Sequence, residues 1–212
     1  MLYITQDGHV DAERIKIKIF PVIERAKMDA VNGIVVHQTG GPTALATFNS
    51  YADSRNGTPN GAHFLIDKDG TIYQTASLYR ATNHVGFLQS RCIVTMKCTP
   101  TELKNARSLE LIKGNNARAV AIHRNESKKS WPDRYPSNAD SIGIEIVGVS
   151  LEQPSPNGGS KYVYEQVNAQ QNASLTWLVK QLAETFNVSM TEVYRHPEIG
   201  RKNNTEASTA KW

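Results

Sequence analysis

Cysteine is nearly absent from this 212-residue chain: there are two, Cys92 and Cys98. No CxxC pair and no zinc-finger spacing occurs, and HExxH is missing too, so the ready-made zinc motifs are excluded. No apolar run approaches the ~20 residues that span a bilayer, so no membrane insertion is expected. The opening stretch MLYITQDGHVDAERIK lacks a basic patch followed by an apolar segment, which argues against a cleavable signal peptide. There is no internal repeat and no low-complexity tract. No Arg/Lys helix and no basic stripe interleaved with aromatics appears, so nucleic acid is not an expected partner.

What is present is ordinary for a globular protein: 39% apolar and 21% charged residues, too apolar for disorder. The length suits one domain over 1–212, able to bury roughly 70% of the surface of its unfolded chain. Residues 1–30 read as an N-terminal extension packed on that domain. A net charge of +4 and a pI near 9.0 favour a polyanionic neighbour, such as a membrane surface or an anionic wall polymer. Cys92 and Cys98, with five residues between them, permit a small disulfide loop if their Cα atoms come within ~7 Å. The alternative is two reduced thiols, and an oxidising compartment would favour the bond.

Along the chain, strand and helix signals alternate. GIVVHQ (33–38) is a β-branched strand; Pro42 then opens a helix with Leu45, Phe48 and Ala52 on one face. AHFLID and TIYQTA read as strands joined by a turn at Asp69-Gly70. A helix over 99–114 has Thr99 and Glu102 as a capping box, a stripe of Leu103, Ala106 and Leu109, and a stop at Gly114. ARAVAIHR (117–124) and SIGIEIVG (141–148) read as strands, and SLEQPSPNGGS (150–160) as a loop. The polar, aromatic-bearing segment 124–140 has the composition of a cleft wall. The longest helix falls within 161–187, where Leu175, Leu178, Val179, Leu182 and Phe186 form one stripe. RIKIKIF (14–20) alternates like a strand, but Pro21 leaves its continuation open. The sum is an α/β fold: a central mixed sheet flanked by helices.

Several side chains stand out. Glu145 lies in a strand apolar on both faces, where a carboxylate costs several kcal/mol unless paired, solvated or neutralised; a satisfied structural carboxylate is the competing reading. His37 closes a strand before a glycine-rich turn, a setting that suits a functional group, though a lone histidine is usually structural. His63 reads as structural, His84 stands on a loop that could face a cleft, and His9 and His123 show nothing special. His196 follows the strand-like TEVY. An open zinc site needs three protein ligands, commonly two histidines and a carboxylate or cysteine, which His37, His196 and an acid beyond it would supply. No spacing here is diagnostic.

Taken in order, IVVHQT, GAHFLIDKDGTIYQ, ATNHVG, NADSIGIEIVG, QQNASLTWLVKQL and HPEIGRKNNTEASTAKW resemble the zinc-dependent N-acetylmuramoyl-L-alanine amidases, the family that includes peptidoglycan-recognition proteins. The resemblance spans about 34–212. It implies zinc in a cleft of the sheet and hydrolysis of the amide between N-acetylmuramic acid and the L-alanine of the stem peptide. By matching segments, His37 and His196 look like metal ligands, Glu145 like the general base, Lys202 like the lysine that steadies the oxyanion, and His84 like the histidine beside the cleft. The third ligand departs from pattern. The family has Asp ten residues after the second histidine or Cys eight after it; this chain has Glu206 and Asn204, and Glu206 is favoured because an amide is a poor zinc ligand. The phage branch carries Tyr before the strand histidine; here it is Ala62, which shifts acid/base work toward Glu145. Residues 86–118 match no family segment and read as an insertion.

The rival readings are a zinc-free muropeptide-binding module and a thiol peptidase built on Cys92 or Cys98. For setting, the basic pI and absent leader suit an antibacterial toxin delivered to a periplasm, with an immunity protein as partner, or a bacteriolytic phage lysin. Cytoplasmic wall recycling is the alternative.

Overall fold

β-branched residues recur in the two strands at the centre of the molecule, whose stretches 33–38 and 141–148 are largely buried. In the computed structural model, which describes residues 1–155 and 159–212, these are β5 (Gly33–Gly40) and β9 (Ser141–Pro154). They pair in parallel, with His37 opposite Glu145. The earlier strands are β1 (Tyr3–Ile4), β2 (Val10–Asp11), β3 (Ile15–Ile17) and β4 (Glu24–Lys27). After β5 come β6 (Phe64–Ile66), β7 (Ile72–Gln74) and β8 (Arg80–Thr82); β10 (Ser160–Tyr164) and β11 (Val193–Arg195) follow β9. The main sheet runs β11-β5-β9-β6-β7-β3, and β10 pairs antiparallel with the outer half of β9. Parallel pairing joins β11, β5, β9 and β6; β6–β7 is an antiparallel hairpin about the Asp69-Gly70 turn. This is the mixed sheet expected from the sequence.

Alternation along the strands divides the sheet into two chemically distinct faces. Ile34, Val36, Phe64, Ile66, Ile142, Ile144 and Ile146 meet the apolar stripe of α5 (Ala169–Phe186), and Leu175, Leu178, Val179 and Leu182 there are fully buried. Each such side chain contributes roughly 1.5–3 kcal/mol of burial. Asn168 and Gln171 form a capping box at the start of α5, and Asn187 ends it in the left-handed conformation. The N-terminal segment adds Leu2, Val10, Ile15 and Met28 to this core. The opposite face presents Val35 and His37 on β5, and Gly143, Glu145 and Val147 on β9. It is covered only in part, by α1 (Ala44–Ala52) and by a small cluster of Val35, Val85, Leu88, Tyr135 and Ile199. The site opens on that face.

Four local expectations are corrected. Residues 117–124 belong to a helix, α4 (Asn115–Glu126), with Ala119, Ile122 and Glu126 buried at helical spacing; alanine-rich sequence with few β-branched residues favours that state. α3 (Pro100–Glu110) has the Thr99/Glu102 capping box but ends at Glu110, and Gly114 instead precedes α4. The buried face of α1 is Ala44, Thr47, Phe48 and Tyr51, while Leu45 is 66% exposed and Ala52 is also outside. Packing against Phe20, Leu65 and Val147 rotates the helix to that face. Residues 150–154 continue β9, and Ser160–Tyr164 pairs back on it, rather than forming a loop; 156–158 lie outside the described residues. Cys92 and Cys98 are disulfide-bonded, with Cα atoms 4.6 Å apart, where α2 (Arg91–Val94) leads into α3. Among the described residues no helix is long and apolar enough to cross a membrane.

Candidate active site

Parallel strands deliver functional side chains at their carboxyl ends, where the connecting loops leave room for a ligand. His37 lies in the second half of β5, and His196 begins α6 (His196–Ile199) immediately after β11, the neighbouring strand. The two rings meet with Nδ1 atoms 2.9 Å apart. The chain then returns through Asn203 and Thr205 to place Glu206 Oε1 3.0 Å from His196 Nδ1 and 3.4 Å from His37 Nδ1. All three side chains are buried.

Residues 207–210 are clamped to the sheet. Gln38 Oε1 accepts from the Ala207 amide at 3.2 Å, and Arg195 donates to the Ala207 and Ala210 carbonyls at 3.1 and 2.9 Å. Ala207 has φ 52°, a left-handed conformation that costs a residue with a Cβ about 1–2 kcal/mol. The clamps from β5 and β11 hold it there, and so hold Glu206.

The outer partners assign the ring protons. The Val85 carbonyl lies 2.7 Å from His196 Nε2, so that nitrogen carries the hydrogen and Nδ1 is a bare lone pair. His84 Nε2 faces the Ser141 carbonyl at 3.3 Å and Ser141 Oγ at 3.2 Å. That hydroxyl already donates to the Ser137 carbonyl, so both Ser141 oxygens accept and His84 Nε2 is the donor. His84 Nδ1 is therefore an acceptor, 3.0 Å from His37 Nε2, which must donate to it. The remaining nitrogen, His37 Nδ1, is again a lone pair. Two imidazole lone pairs and a carboxylate oxygen thus converge with no proton between them, an arrangement that repels unless a cation occupies the centre. Ring N–H groups donating outward to a carbonyl or a neighbouring ring are what orient histidine ligands. His37, His196 and Glu206 can accordingly hold a metal ion.

Electrostatics agree. Burial, and then His196, lowers the His37 pKa to about 4, so the ring is neutral at pH 7. Burial alone would raise Glu206, but the two rings beside it, His196 first and His37 next, outweigh that and bring it to about 2, so the group is a carboxylate at pH 7. His84 is held well below its usual value, by burial first and by His37 next.

Two glycines make this approach feasible. A Cβ on Gly143 would sit 2.8 Å from the His84 ring, and one on Gly200 would meet His196 Cδ2 at 3.0 Å and the Val85 carbonyl at 3.1 Å. Asn138 supports the same wall: its Oδ1 accepts from the amides of His84 at 2.9 Å and Val85 at 2.7 Å. Of segment 124–140, expected as a cleft wall, Asn138 is the residue that reaches the cleft.

The cleft, about 670 Å³, is lined by His37, His84, Glu145, His196, Lys202 and Glu206. All six residues singled out from the sequence therefore share one cavity. Asn204 is exposed and lies outside the His37–His196–Glu206 group. Glu145 is pushed up to about 8 by burial and then by the charge of Glu206, with Lys202 opposing. His63 is structural: Nε2 bonds to the Arg80 carbonyl at 2.8 Å and Nδ1 accepts from the Gly143 amide at 3.0 Å. Sequence reasoning missed Tyr51 and His123, which also line the cleft. His123 lies on a helix where the sequence predicts a strand, and Tyr51 lies on the buried face of α1, away from the predicted Leu45 position. The spacing Ala44, Thr47, Phe48, Tyr51 was the available signal.

The profile of the N-acetylmuramoyl-L-alanine amidases matches residues 27–207. The chain belongs to that family. The amidase is similar in fold to the selenomethionine derivative of AmpD, over 95% of its own length and 90% of that chain, at 16% identity and TM-score 0.54. The endolysin N-acetylmuramoyl-L-alanine amidase LysCS from Clostridium intestinale URNW is 18% identical, with 92% of this chain and 87% of that one covered and a TM-score of 0.49. No curated protein matches the amidase in sequence. The family's reaction is amide hydrolysis in peptidoglycan, so the chain is a hydrolase rather than a thiol peptidase. Both cysteines are bonded to each other, which removes the nucleophile that the thiol reading required.

Proposed function

We propose that this amidase binds zinc through His37, His196 and Glu206 and hydrolyses the bond between the lactyl carbonyl of N-acetylmuramic acid and the L-alanine nitrogen of the stem peptide. The observation that carries this reading is the convergence of three buried lone-pair donors whose protons are directed outward. Two neutral imidazoles with one carboxylate are a donor set that suits zinc with a coordination position left open. Bound there, zinc would supply Lewis acidity, polarising the scissile carbonyl and acidifying water.

The chain's own residues do the rest. Glu145, deprotonated, takes the proton from the attacking water and returns it to the departing alanine nitrogen, so that amide and water become carboxylate and amine. Its high proton affinity in the metal-free protein arises in part from Glu206, and positive charge beside Glu206 offsets that repulsion. Lys202, on the loop after α6 and facing the cleft, presents an ammonium to the negative charge that develops on the carbonyl oxygen. His84 keeps His37 in the tautomer that points Nδ1 inward.

The Cys92–Cys98 bond supports work in an oxidising compartment, and the net charge of +4 favours an anionic wall polymer. We therefore place its action on peptidoglycan outside the cytoplasm, as an antibacterial effector or a lysin, with an immunity protein as the partner of the effector role. Mass analysis of peptidoglycan digests tests the reaction. Stem peptides released with a free L-alanine amine, and lost on chelation, are the expected products; sugar-linked fragments that keep their peptides would overturn it.

A further inference from the structure

Tyr51 has no part in the mechanism above, yet it is buried to 4% exposure and lines the same cleft. It stands at the end of α1, and its hydroxyl oxygen accepts from the Ala62 amide at 3.3 Å. Among the described residues no acceptor takes the phenolic hydrogen. On the sheet beside it, Glu145 Oε2 is buried and has no hydrogen-bond partner.

The backbone places these two groups on one wall. Residue 63 donates to the Gly143 carbonyl at 3.0 Å, so the Ala62–His63 strand entry runs alongside β9. A Cβ on Gly143 would lie 3.1 Å from Ala62 Cβ. Gly143 and Glu145 alternate onto the same face, so the hydroxyl at Ala62 adjoins the patch from which Glu145 projects. The phenol holds its proton tightly, by burial first and by the charge of Glu145 next; it is a hydrogen-bond donor and not an acid. A buried donor without an acceptor and a buried acceptor without a donor are each costly, and here both belong to residues that line one cavity.

We propose that Tyr51 is a positioning residue for Glu145: in the loaded cleft its hydroxyl donates to Glu145 Oε2, leaving Oε1 as the oxygen that receives and returns the proton. The inference builds on the amidase reading given above. No proton changes owner between the two residues.

Tyr51→Phe removes the hydroxyl and keeps the ring that packs on Phe20. The expected result is a kcat lowered about ten- to a hundredfold, the loss of one charge-assisted hydrogen bond, with KM and zinc content unchanged; the Ala62 amide loses its acceptor as well, so Tm falls slightly and by the same amount in the Glu145→Gln background. In a Glu145→Gln background the same substitution should have no further effect on kcat. Infrared difference spectra of the zinc-loaded protein, edited by isotope labelling at glutamate and assigned with Glu145→Gln, should show the Glu145 carboxylate band shifted by Tyr51→Phe. Full kcat in the single variant, an equal loss in both backgrounds, a loss matched by falling zinc content, or an unmoved band would each overturn the proposal. If the unaltered protein fails to cleave peptidoglycan, the amidase reading falls, and the band still decides whether Tyr51 holds Glu145.

Discussion

The Glu206 carboxylate, within 3.4 Å of both ring nitrogens, is what separates a three-donor site from a pair of histidines. Glu206→Ala should reduce bound zinc from about one equivalent to almost none, measured by atomic absorption after dialysis, because two neutral imidazoles alone are a weak site. A zinc content that survives the substitution would remove Glu206 from the ligand set. Glu145 plays a different part. Glu145→Gln should keep zinc and fold while kcat falls about 10²–10⁴-fold, the range for a lost general base; a variant retaining wild-type turnover would reassign the proton transfer. His84, Asn138 and the Val85 carbonyl matter through orientation. Of these, His84 alone was visible as a candidate in the sequence, since a backbone carbonyl has no sequence signal and an asparagine in a polar loop looks like any other.

Among the elements, β9 does most to connect the core to the chemistry. Its even-numbered isoleucines hold α5, while on the other face Gly143 makes room for the His84 ring and Glu145 lines the cleft. The apolar stripe of α5 was legible because four fully buried residues recur at three- and four-residue steps. Leu178→Ala should cost about 2–5 kcal/mol in chemical denaturation without changing zinc stoichiometry, since α5 lies on the face opposite the ligands. Loss of zinc alongside that destabilisation would mean that the two faces are less independent than their packing indicates. α4 and α1 were less legible for a physical reason. A twelve-residue helix with three buried positions, and a nine-residue helix whose docking face includes a threonine and a tyrosine, carry little periodic contrast.

At the scale of the whole molecule, the buried titratable groups set the response to pH. Burial lowers His63 from 6.5 to about 4, against the opposing effect of its bond to the Arg80 carbonyl. The unfolded chain therefore takes a proton on that ring first. Its contribution, about 3 kcal/mol, is complete above pH 6.5 and is lost as pH falls through 4. Glu145 acts with the opposite sign in the metal-free protein. Its pKa rises from 4.5 to about 8, so its contribution is present below pH 4.5 and is lost as pH rises through 8. Thermal melts of metal-free Glu145→Gln should accordingly show a higher Tm than the parent above pH 8 and little difference below pH 4.5. Equal shifts at both ends would mean that Glu145 is solvated in the folded state.

From the sequence alone came the α/β class, the long helix, the central strands and six residues that meet in one cleft. The class, helix and strands follow from short-range periodicity, Glu145 stood out as a residue type whose burial is costly, and Lys202 and Glu206 came with the resemblance to the amidase family. What only the tertiary structure decided is which lone pairs face inward, which side of α1 is buried, and where the last residues of the chain lie. Those depend on contacts across large sequence separations, such as Gln38 to Ala207 and His37 to His196, and no local pattern encodes a distance between groups that meet only once the sheet has formed.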